Sequence, residues 1–305
     1  MRSLLLWCAS NPWLSAHVPT WGFARRAVKR FMPGDDLDAA LEAAAEFKAQ
    51  GVGSLLTRLG ENVKNLSEAG EVVDHYEAVF ARVSAAGLSS EVSVKPTQLG
   101  LDIDAAAAYA NLERLARAAS NAKCFLWIDM EGSAYTEATI DLYRRLRANH
   151  PATGIALQAY LHRTVDDVAA LTPLTPAIRL VKGAYAEPST IALSSKKDVD
   201  ANYLALCAFM LPQVKQGKLR LVLATHDVEL IARITRFAKA VGLERAQLEV
   251  AMLYGIRTDQ QLRLAGEGYV VKDLISYGDA WYAWYVRRLA ERPANVLFAA
   301  RQIFG

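Results

Sequence analysis

The stretch AIRLVKGAY, residues 177–185, combines two features that decide the fold. It begins as a short apolar run typical of a buried strand, and it ends in a polar turn around Gly183. Similar runs recur along the chain, separated by segments with helical periodicity. The runs cover residues 51–60, 91–100, 124–132, 154–162, 177–185, 220–227, 247–255 and 268–278. Eight strand–helix units in about 250 residues predict a (β/α)8 TIM-type barrel.

The chain divides into a short N-terminal part and this barrel. Residues 1–50 are interpreted as an N-terminal helical segment, and residues 51–305 as the barrel that forms the catalytic domain. The clearest N-terminal helix covers residues 33–51, where Asp35 or Asp36 is placed to cap the first turn. A doubly wound sheet is the alternative fold, but no predicted strand is followed by the GxGxxG turn typical of it.

Composition and charge argue against several classes of function. The 35 Lys and Arg residues are nearly balanced by 32 Asp and Glu, which does not favour nucleic acid as a partner. The three cysteines lie far apart, and the sequence contains no cluster of metal-ligand spacing, so we expect no catalytic metal. The cysteine usage favours the reducing cytoplasm. No apolar stretch reaches the length of about 18 residues that predicts a transmembrane helix.

Polar side chains collect where the predicted strands end, which is the end of a barrel that carries functional groups. They are Arg58, Glu61, Lys95, Thr97, Gln98, Asp129, Glu131, Gln158, Tyr160, Arg179, Lys182, Tyr185, Thr225, His226, Asp227 and Tyr254. Each has a structural interpretation, such as a salt bridge between Asp129 and Lys95. Burying so many charges at one end is costly unless they pair or bind a ligand, so their concentration indicates a site.

The excess of cations indicates what such a site binds. The cations are Lys95, Arg179, Lys182, Arg287 and Arg288, the last two side by side in the aromatic stretch AWYAWYVRRLAERPANV (280–296). Guanidinium and ammonium groups in this number suit an anionic cofactor and an anionic substrate. The glycine next to Lys182 lets the backbone approach a bulky ligand.

The motifs at these positions resemble those of the proline dehydrogenase family in order and spacing, over nearly the whole chain. They are SVKPTQLGL, IDMEGSAYTEATIDLY, LQAYLHRT, RLVKGAY, LATHD, MLYGI and WYVRRLAERPAN. The resemblance implies a distorted barrel with a C-terminal helix over its mouth, and FAD as the cofactor. It also implies that L-proline is oxidised to 1-pyrroline-5-carboxylate by hydride transfer to flavin N5, with a quinone as the next electron acceptor. The chain is similar to the monofunctional type, and the acceptor implies transient peripheral contact with the inner face of a membrane.

The resemblance further implies a role for each matching residue. Asp129 and Arg179 would be catalytic, with Arg179 beside the reacting edge of the flavin. The substrate would be bound by Lys95, Tyr185, Leu253, Leu274, Arg287 and Arg288, with Glu61 paired to Arg287 as a gate. FAD would be bound by Met130, Gln158, Lys182, Gly183, Ala184, Thr225 and His226.

Leu274 departs from the family pattern. The family usually has a tyrosine four residues before the glycine of YVPYG, and this chain has LISYG. The family tyrosine packs against the substrate ring, whereas leucine has a different shape and no hydroxyl. The expected substrate is therefore L-proline or a related cyclic imino acid, such as hydroxyproline, a ring of another size or a biosynthetic intermediate.

Two interpretations come from other functional classes. A Schiff-base aldolase would use Lys95 or Lys182, although the surrounding arginines exceed what such an enzyme needs. A non-catalytic binding protein would retain the barrel without turnover. The stretch LLLWCASNPWL (4–14) and the aromatic helix offer apolar contacts to a membrane, but packing on the barrel is the interpretation we favour.

Overall fold

A closed barrel of eight parallel strands forms the centre of the computed structural model, which describes Leu5, Trp7, Cys8, residues 11–22, Ala24 and residues 28–291. The strands are β1 Gly53–Arg58, β2 Ser90–Val94, β3 Leu126–Ile128, β4 Thr153–Gln158, β5 Ala177–Val181, β6 Arg220–Ala224, β7 Glu249–Leu253 and β8 Val270–Tyr277. Each strand pairs with the next, and β8 closes the barrel against β1. The predicted (β/α)8 fold is confirmed, and each strand overlaps the run predicted for it.

Within the described residues, two α-helices precede β1 and the others follow the strands around the barrel. They are α1 Pro12–His17, α2 Leu37–Ala49, α3 Leu66–Ala85, α4 Ala105–Asn121, α5 Thr136–Arg147, α6 Thr164–Leu171, α7 Lys196–Lys215, α8 Val228–Ala240, α9 Thr258–Gly266 and α10 Trp281–Glu291. Several begin at a residue whose side-chain oxygen accepts a hydrogen bond from the first turn. Of the two aspartates expected to cap α2, Asp36 does so, accepting from the Ala39 N–H at 2.8 Å.

Strand alternation divides the side chains into two sets. Outward-facing residues such as Leu56 and Ile128 pack against the helices, whereas Leu55, Trp127 and Val222 fill the barrel interior. The same alternation directs every second polar residue inward. The inward positions near the strand ends are therefore the ones that can form a site.

Four charged side chains fill the N-terminal end of the barrel. They are Glu91, Arg220, Glu249 and Lys272. Arg220 binds Glu249 through two hydrogen bonds of 2.7 Å, and the Lys272 ammonium lies 2.6 Å from a Glu91 oxygen. Two cations balance two anions, which offsets the cost of burying them. Because these groups satisfy one another, the groups that remain for a ligand lie at the opposite end.

The N-terminal segment and α10 pack together on the C-terminal face of the barrel. Their shared cluster joins Phe31 and Tyr285 to Leu59, which follows β1. Gly255, after β7, has φ +69°, and a Cβ there would lie 1.6 Å from the carbonyl oxygen of Arg30. Only glycine allows the N-terminal segment to approach so closely.

Some residues near the start of the chain contact the cluster that includes α10. Leu5, Cys8 and Leu14 pack against the cluster, and the Tyr282 hydroxyl donates to the Cys8 carbonyl at 3.2 Å. This is the packing expected of the stretch 4–14 and the aromatic helix. No helix within the described part of the chain is both long and apolar enough to cross a bilayer.

Candidate active site

An ion pair crosses the upper interior of the barrel. Arg179 on β5 pairs with Asp129, which directly follows β3, and it also donates to the Ser93 hydroxyl at 2.9 Å. The Ser93 hydroxyl in turn donates to Asp129 at 2.7 Å. Burial alone would raise the pKa of Asp129, but the positive charges of Arg179 and Lys95, with the bond from Ser93, hold it below its usual value. Asp129 is therefore a carboxylate at neutral pH.

Lys95 lies beside this pair at the end of β2 and is only 8% exposed. Its charge acts on Asp129, yet within the described part of the chain no carboxylate forms an ion pair with the Lys95 ammonium. The interpretation of Asp129 as a salt-bridge partner of Lys95 is thus wrong, because Arg179 and Ser93 occupy that carboxylate. A buried cation in this position suits an anionic ligand.

Two buried polar atoms near the ion pair have no hydrogen-bond partner among the described residues. They are the Nε of Arg179 and the Oε1 of Gln158. The Gln158 amide nitrogen donates to the carbonyls of Glu131 and Met130 at 2.7 and 3.2 Å, and this fixes which way its oxygen points. A buried donor and a buried acceptor on the neighbouring strands β4 and β5 indicate a ligand that offers both functions.

The turn after β5 brings the backbone at Gly183 close to the ring of Tyr160. Gly183 has φ +115°, and a Cβ there would lie 2.2 Å from the ring of Tyr160. Lys182 binds Asp200 at 2.5 Å and Asp227 at 3.0 Å, so two carboxylates balance its charge. Burial would raise the pKa of Asp227, but the bond from Lys182 and other contacts lower it to about 2.

The same loop is tethered across the barrel mouth. Glu187 accepts hydrogen bonds from the Ser133 N–H at 2.8 Å and from the Ser133 hydroxyl at 2.6 Å. Ser133 begins the short 3-10 turn after β3, so the loop spans from the end of β5 to the end of β3. The tether holds Ala184 and half-buried Tyr185 over the mouth between these strands.

Three residues predicted to bind the cofactor lie at other strand ends. Thr225 is buried after β6, where its hydroxyl accepts from the Asp227 N–H at 3.2 Å. His226 is half-buried next to it. The Met130 side chain points instead into the core between the barrel and the helices, because it occupies an outward position. Only the backbone of Met130 faces the site.

An apolar wall completes the mouth. Leu253 ends β7 and is in register with Leu274 on β8, and both are half-buried inward-facing residues. Leu274 also packs against the interior cluster that contains Leu55 and Trp127. The cations and the apolar wall therefore line the same end of one barrel.

The structure describes only part of the predicted gate over the substrate. Arg288 is half-buried on α10, and Glu61 lies in the loop after β1. The side chain of Arg287 lies outside the described residues, so its predicted contacts with the substrate and with Glu61 have no structural account. The helix α10 lies on the barrel face, as predicted for the C-terminal helix.

Comparison with known proteins assigns the chain to a family. The family model described as proline dehydrogenase matches residues 40–301. The chain belongs to the proline dehydrogenase family. It is 35% identical over 298 residues to proline dehydrogenase 2 of Bacillus subtilis strain 168, which covers 98% of this chain and 97% of the relative. It is also 35% identical to a proline dehydrogenase of Deinococcus radiodurans, covering 98% and 96%.

Solved structures show the same fold. Proline utilization A from Bdellovibrio bacteriovorus, inactivated by N-propargylglycine, superposes with a TM-score of 0.83 at 21% identity. The match covers 95% of this chain and 38% of that one, so the present protein spans less than half of the larger molecule. The family model and the relatives make the protein an oxidoreductase of the proline dehydrogenase family, which confirms the predicted family.

Some residues of the candidate site were not predicted from the sequence. Ser93 lies two residues before Lys95 on the same strand face, so period-two alternation alone was a sufficient signal for it. Asp200 and Glu187 belong to α7 and to a loop, and nothing local to them indicates that they reach the strand ends. Glu131 was noted at a strand end but was assigned no role.

Proposed function

We propose that the protein oxidises L-proline to 1-pyrroline-5-carboxylate, with FAD as hydride acceptor and a quinone as the next acceptor. The observation that carries the proposal is Lys95, a buried cation without an ion-pair partner among the described residues, at the same end of the barrel as the apolar wall of Leu253 and Leu274. A small ring bearing a carboxylate has the matching polarity. Family membership supports the reaction type.

The residues present fit a flavin. The Nε of Arg179 supplies a donor and the Oε1 of Gln158 an acceptor, as the polar edge of an isoalloxazine ring requires. We assign the cofactor to Gln158, Lys182, Gly183, Ala184, Thr225, His226 and the backbone of Met130. When bound, FAD supplies a ring system that accepts a hydride from the substrate. The glycine at position 183 keeps the turn close to Tyr160 and leaves the mouth open for this ring.

The substrate carboxylate is assigned to Lys95, Arg287 and Arg288. Planar guanidinium groups bind a carboxylate through paired hydrogen bonds, and a third cation fixes the remaining freedom of the ring. The positive charges also favour loss of the amine proton, and hydride leaves more readily from a neutral amine. Tyr185, Leu253 and Leu274 are assigned to the ring itself, and Glu61 to a gate with Arg287 that excludes water.

Asp129 and Arg179 act together in this proposal. Asp129 orients the guanidinium, and Arg179 places a positive charge where the electron-rich product of hydride transfer must be stabilised. Because the pKa of Asp129 is held below its usual value, the pair keeps this orientation through the neutral range.

Delivery of electrons to a quinone requires transient contact with the inner face of a membrane. The N-terminal segment leaves Trp7 and Trp13 each 58% exposed, and the segment packs on the same barrel face as α10. Exposed tryptophans are typical of surfaces that meet a bilayer interface, and they support this part of the proposal.

A second candidate substrate class rests on Leu274. The half-buried leucine provides no hydroxyl at the ring wall, and it leaves a differently shaped pocket from the family tyrosine. A related cyclic imino acid, such as a hydroxyproline or a ring of another size, is the alternative. Turnover of proline, both 4-hydroxyproline isomers, pipecolate and azetidine-2-carboxylate by wild type and Leu274→Tyr separates the two candidates. Equal specificity of both proteins would contradict the role given to Leu274.

The interpretation as a Schiff-base aldolase is not supported by the site. Lys182 is ion-paired with Asp200 and Asp227, and an ion-paired ammonium is not a nucleophile. Lys95 lies near the Asp129 carboxylate rather than in an apolar pocket. Borohydride treatment with a carbonyl substrate should therefore leave no covalent adduct.

A further inference from the structure

Glu131 is a buried carboxyl that has no role in the reaction as proposed. It is 3% exposed, and both oxygens accept hydrogen bonds from one residue, Thr97. The Thr97 hydroxyl donates at 2.6 Å and the Thr97 N–H at 3.1 Å. Thr97 belongs to the 3-10 turn Pro96–Leu99 that follows β2, so the carboxyl caps an N–H that the turn itself leaves without a partner.

The same hydroxyl supports the loop that follows β1. The Thr97 oxygen accepts a hydrogen bond from the Asn62 N–H at 3.2 Å. Asn62 has φ +54°, a left-handed conformation that costs energy for a residue other than glycine and persists only where neighbours hold it. Its side-chain amide donates to Asp102 at 2.6 Å and to the Tyr135 hydroxyl at 3.3 Å. These hydrogen bonds hold Asn62 in place next to Glu61.

Glu131 also contacts the other side of the site. Its carbonyl accepts the 2.7 Å hydrogen bond from Gln158, whose oxygen is the acceptor assigned to the cofactor. One residue therefore connects the cofactor wall at the end of β4 with the gate loop after β1. The Glu131 carbonyl accepts from Gln158 at the cofactor wall, and the Glu131 carboxyl binds Thr97 below the gate loop.

We infer that Glu131 is a positioning residue: through Thr97 its carboxylate holds Asn62, and thereby sets where Glu61 stands over the barrel mouth. The inference rests on the proposed function in that Glu61 is taken as the gate. The hydrogen-bond chain runs from the Asn62 N–H to the Thr97 hydroxyl and on to the Glu131 carboxylate. A hydroxyl that donates to a carboxylate becomes a stronger acceptor, so the charge at Glu131 strengthens the bond to Asn62.

Protonation of Glu131 reverses the direction of its hydrogen bond with the Thr97 hydroxyl. A neutral Glu131 donates to the Thr97 oxygen, which then accepts from both sides and binds the Asn62 N–H less strongly. Burial raises the pKa of Glu131 to about 7, opposed by the bonds from Thr97 and by the charge of Lys95 at the end of β2. Glu61 from the loop after β1 raises it further, and Tyr135 on the following turn faces the same carboxyl. The gate loop is therefore held more firmly above about pH 7 than below it.

Amide hydrogen exchange over residues 59–65, followed by mass spectrometry on the purified protein with and without added FAD, tests the inference. Glu131→Gln copies the neutral acid, because an amide donates to Thr97 where the acid would. At about pH 8 this variant should exchange roughly 10-fold faster in that peptide than wild type, as expected for a weakened charge-assisted bond. After correction for intrinsic rates, wild type should approach the variant at about pH 6, and the variant should show no step.

Matched variants separate this role from a general loss of structure. Thr97→Val removes the hydroxyl and should behave like Glu131→Gln, whereas Thr97→Ser keeps it and should behave like wild type. Asp273→Asn is the control, because burial also raises the pKa of Asp273 to about 7 but this residue lies in the middle of β8, on the side opposite to inward-facing Leu274. That variant should retain the wild-type exchange step.

Kinetics give a second readout that depends on the proposed function. With proline and a soluble dye, Glu131→Gln should raise KM by about 10-fold and change kcat by less than about threefold, since the gate serves binding more than chemistry. Exchange in the peptide unaltered by Glu131→Gln or Thr97→Val in folded protein would overturn the inference. If exchange changes as expected but proline is not oxidised, the inference stands and the proposed reaction fails.

Discussion

Replacing Asp129 with asparagine tests the ion pair at the centre of the site. The Arg179 side chain is 3% exposed, and its bonds are to Asp129 and Ser93. Asparagine keeps the size and an acceptor oxygen but removes the charge, so Arg179 becomes a buried cation with only neutral partners. A lost charge-assisted bond costs about 1.5–3 kcal/mol. The larger figure of about 3–5 kcal/mol for a broken buried pair does not apply, because the Asp129 side chain retains 20% exposure and an acceptor remains.

The expected loss of stability is measurable at neutral pH. The folded pKa of Asp129 is lowered, so its contribution is complete above the unfolded value near 3.8 and is lost only as pH falls through the folded pKa. Thermal unfolding of Asp129→Asn at pH 7 should show a Tm lower by roughly 2–5 °C, as the unfolding entropy of a 305-residue chain implies. Ser93→Ala, which removes a neutral partner, should cost about 1 kcal/mol and lower Tm by less.

Activity should fall with stability, for a separate reason. Without the carboxylate the guanidinium is no longer held in one orientation, so kcat/KM of Asp129→Asn should drop by roughly 10–100-fold in a dye-coupled assay. A variant with the wild-type Tm and wild-type kcat/KM would refute the view that Asp129 orients Arg179. A lower Tm with full activity would show that the pair is only structural.

Three further substitutions have defined outcomes. Gly183→Ala should abolish flavin binding, measured as bound absorbance after gel filtration, because a Cβ would lie 2.2 Å from Tyr160 in a left-handed backbone; an alanine variant that binds flavin normally would contradict this. Asp273→Asn should stabilise the protein by roughly 2–4 kcal/mol above pH 7. The folded pKa of Asp273 is raised to about 7, so the stability of the wild type falls as pH rises toward that value. Parallel pH–Tm curves for both proteins would contradict this prediction. Leu274→Tyr should shift the ratio of kcat/KM values for proline and its ring variants by roughly 10-fold, and an unchanged ratio would remove Leu274 from the pocket wall.

The barrel was predictable because its signal is local. Each strand is a short apolar run, and Gly183 and similar punctuation end the runs, so eight units can be counted without knowing any tertiary contact. The helix caps follow the same logic, although the choice between Asp35 and Asp36 depends on which one reaches Ala39. The positions of polar residues at strand ends followed from the topology of a parallel barrel.

The pairing of those polar residues was not predictable in the same way. Asp129 pairs with Arg179 two strands away rather than with Lys95 on the neighbouring strand, because the length of the guanidinium side chain lets it cross the interior. Lys182 is balanced by Asp200 on α7, and that contact is set by helix packing. The outward direction of Met130 was available from alternation, which places it opposite in phase to Asp129.

The central claim is that this chain binds a flavin and reduces it with proline. The direct measurement is the visible absorbance spectrum of purified protein loaded with FAD, before and after anaerobic addition of L-proline. We predict a bound-flavin spectrum that is bleached by proline, and bleaching that is roughly 10–100-fold slower in Asp129→Asn at the same proline concentration. Folded protein that takes up no flavin, or bound flavin that neither proline nor any related cyclic imino acid bleaches, would contradict the account.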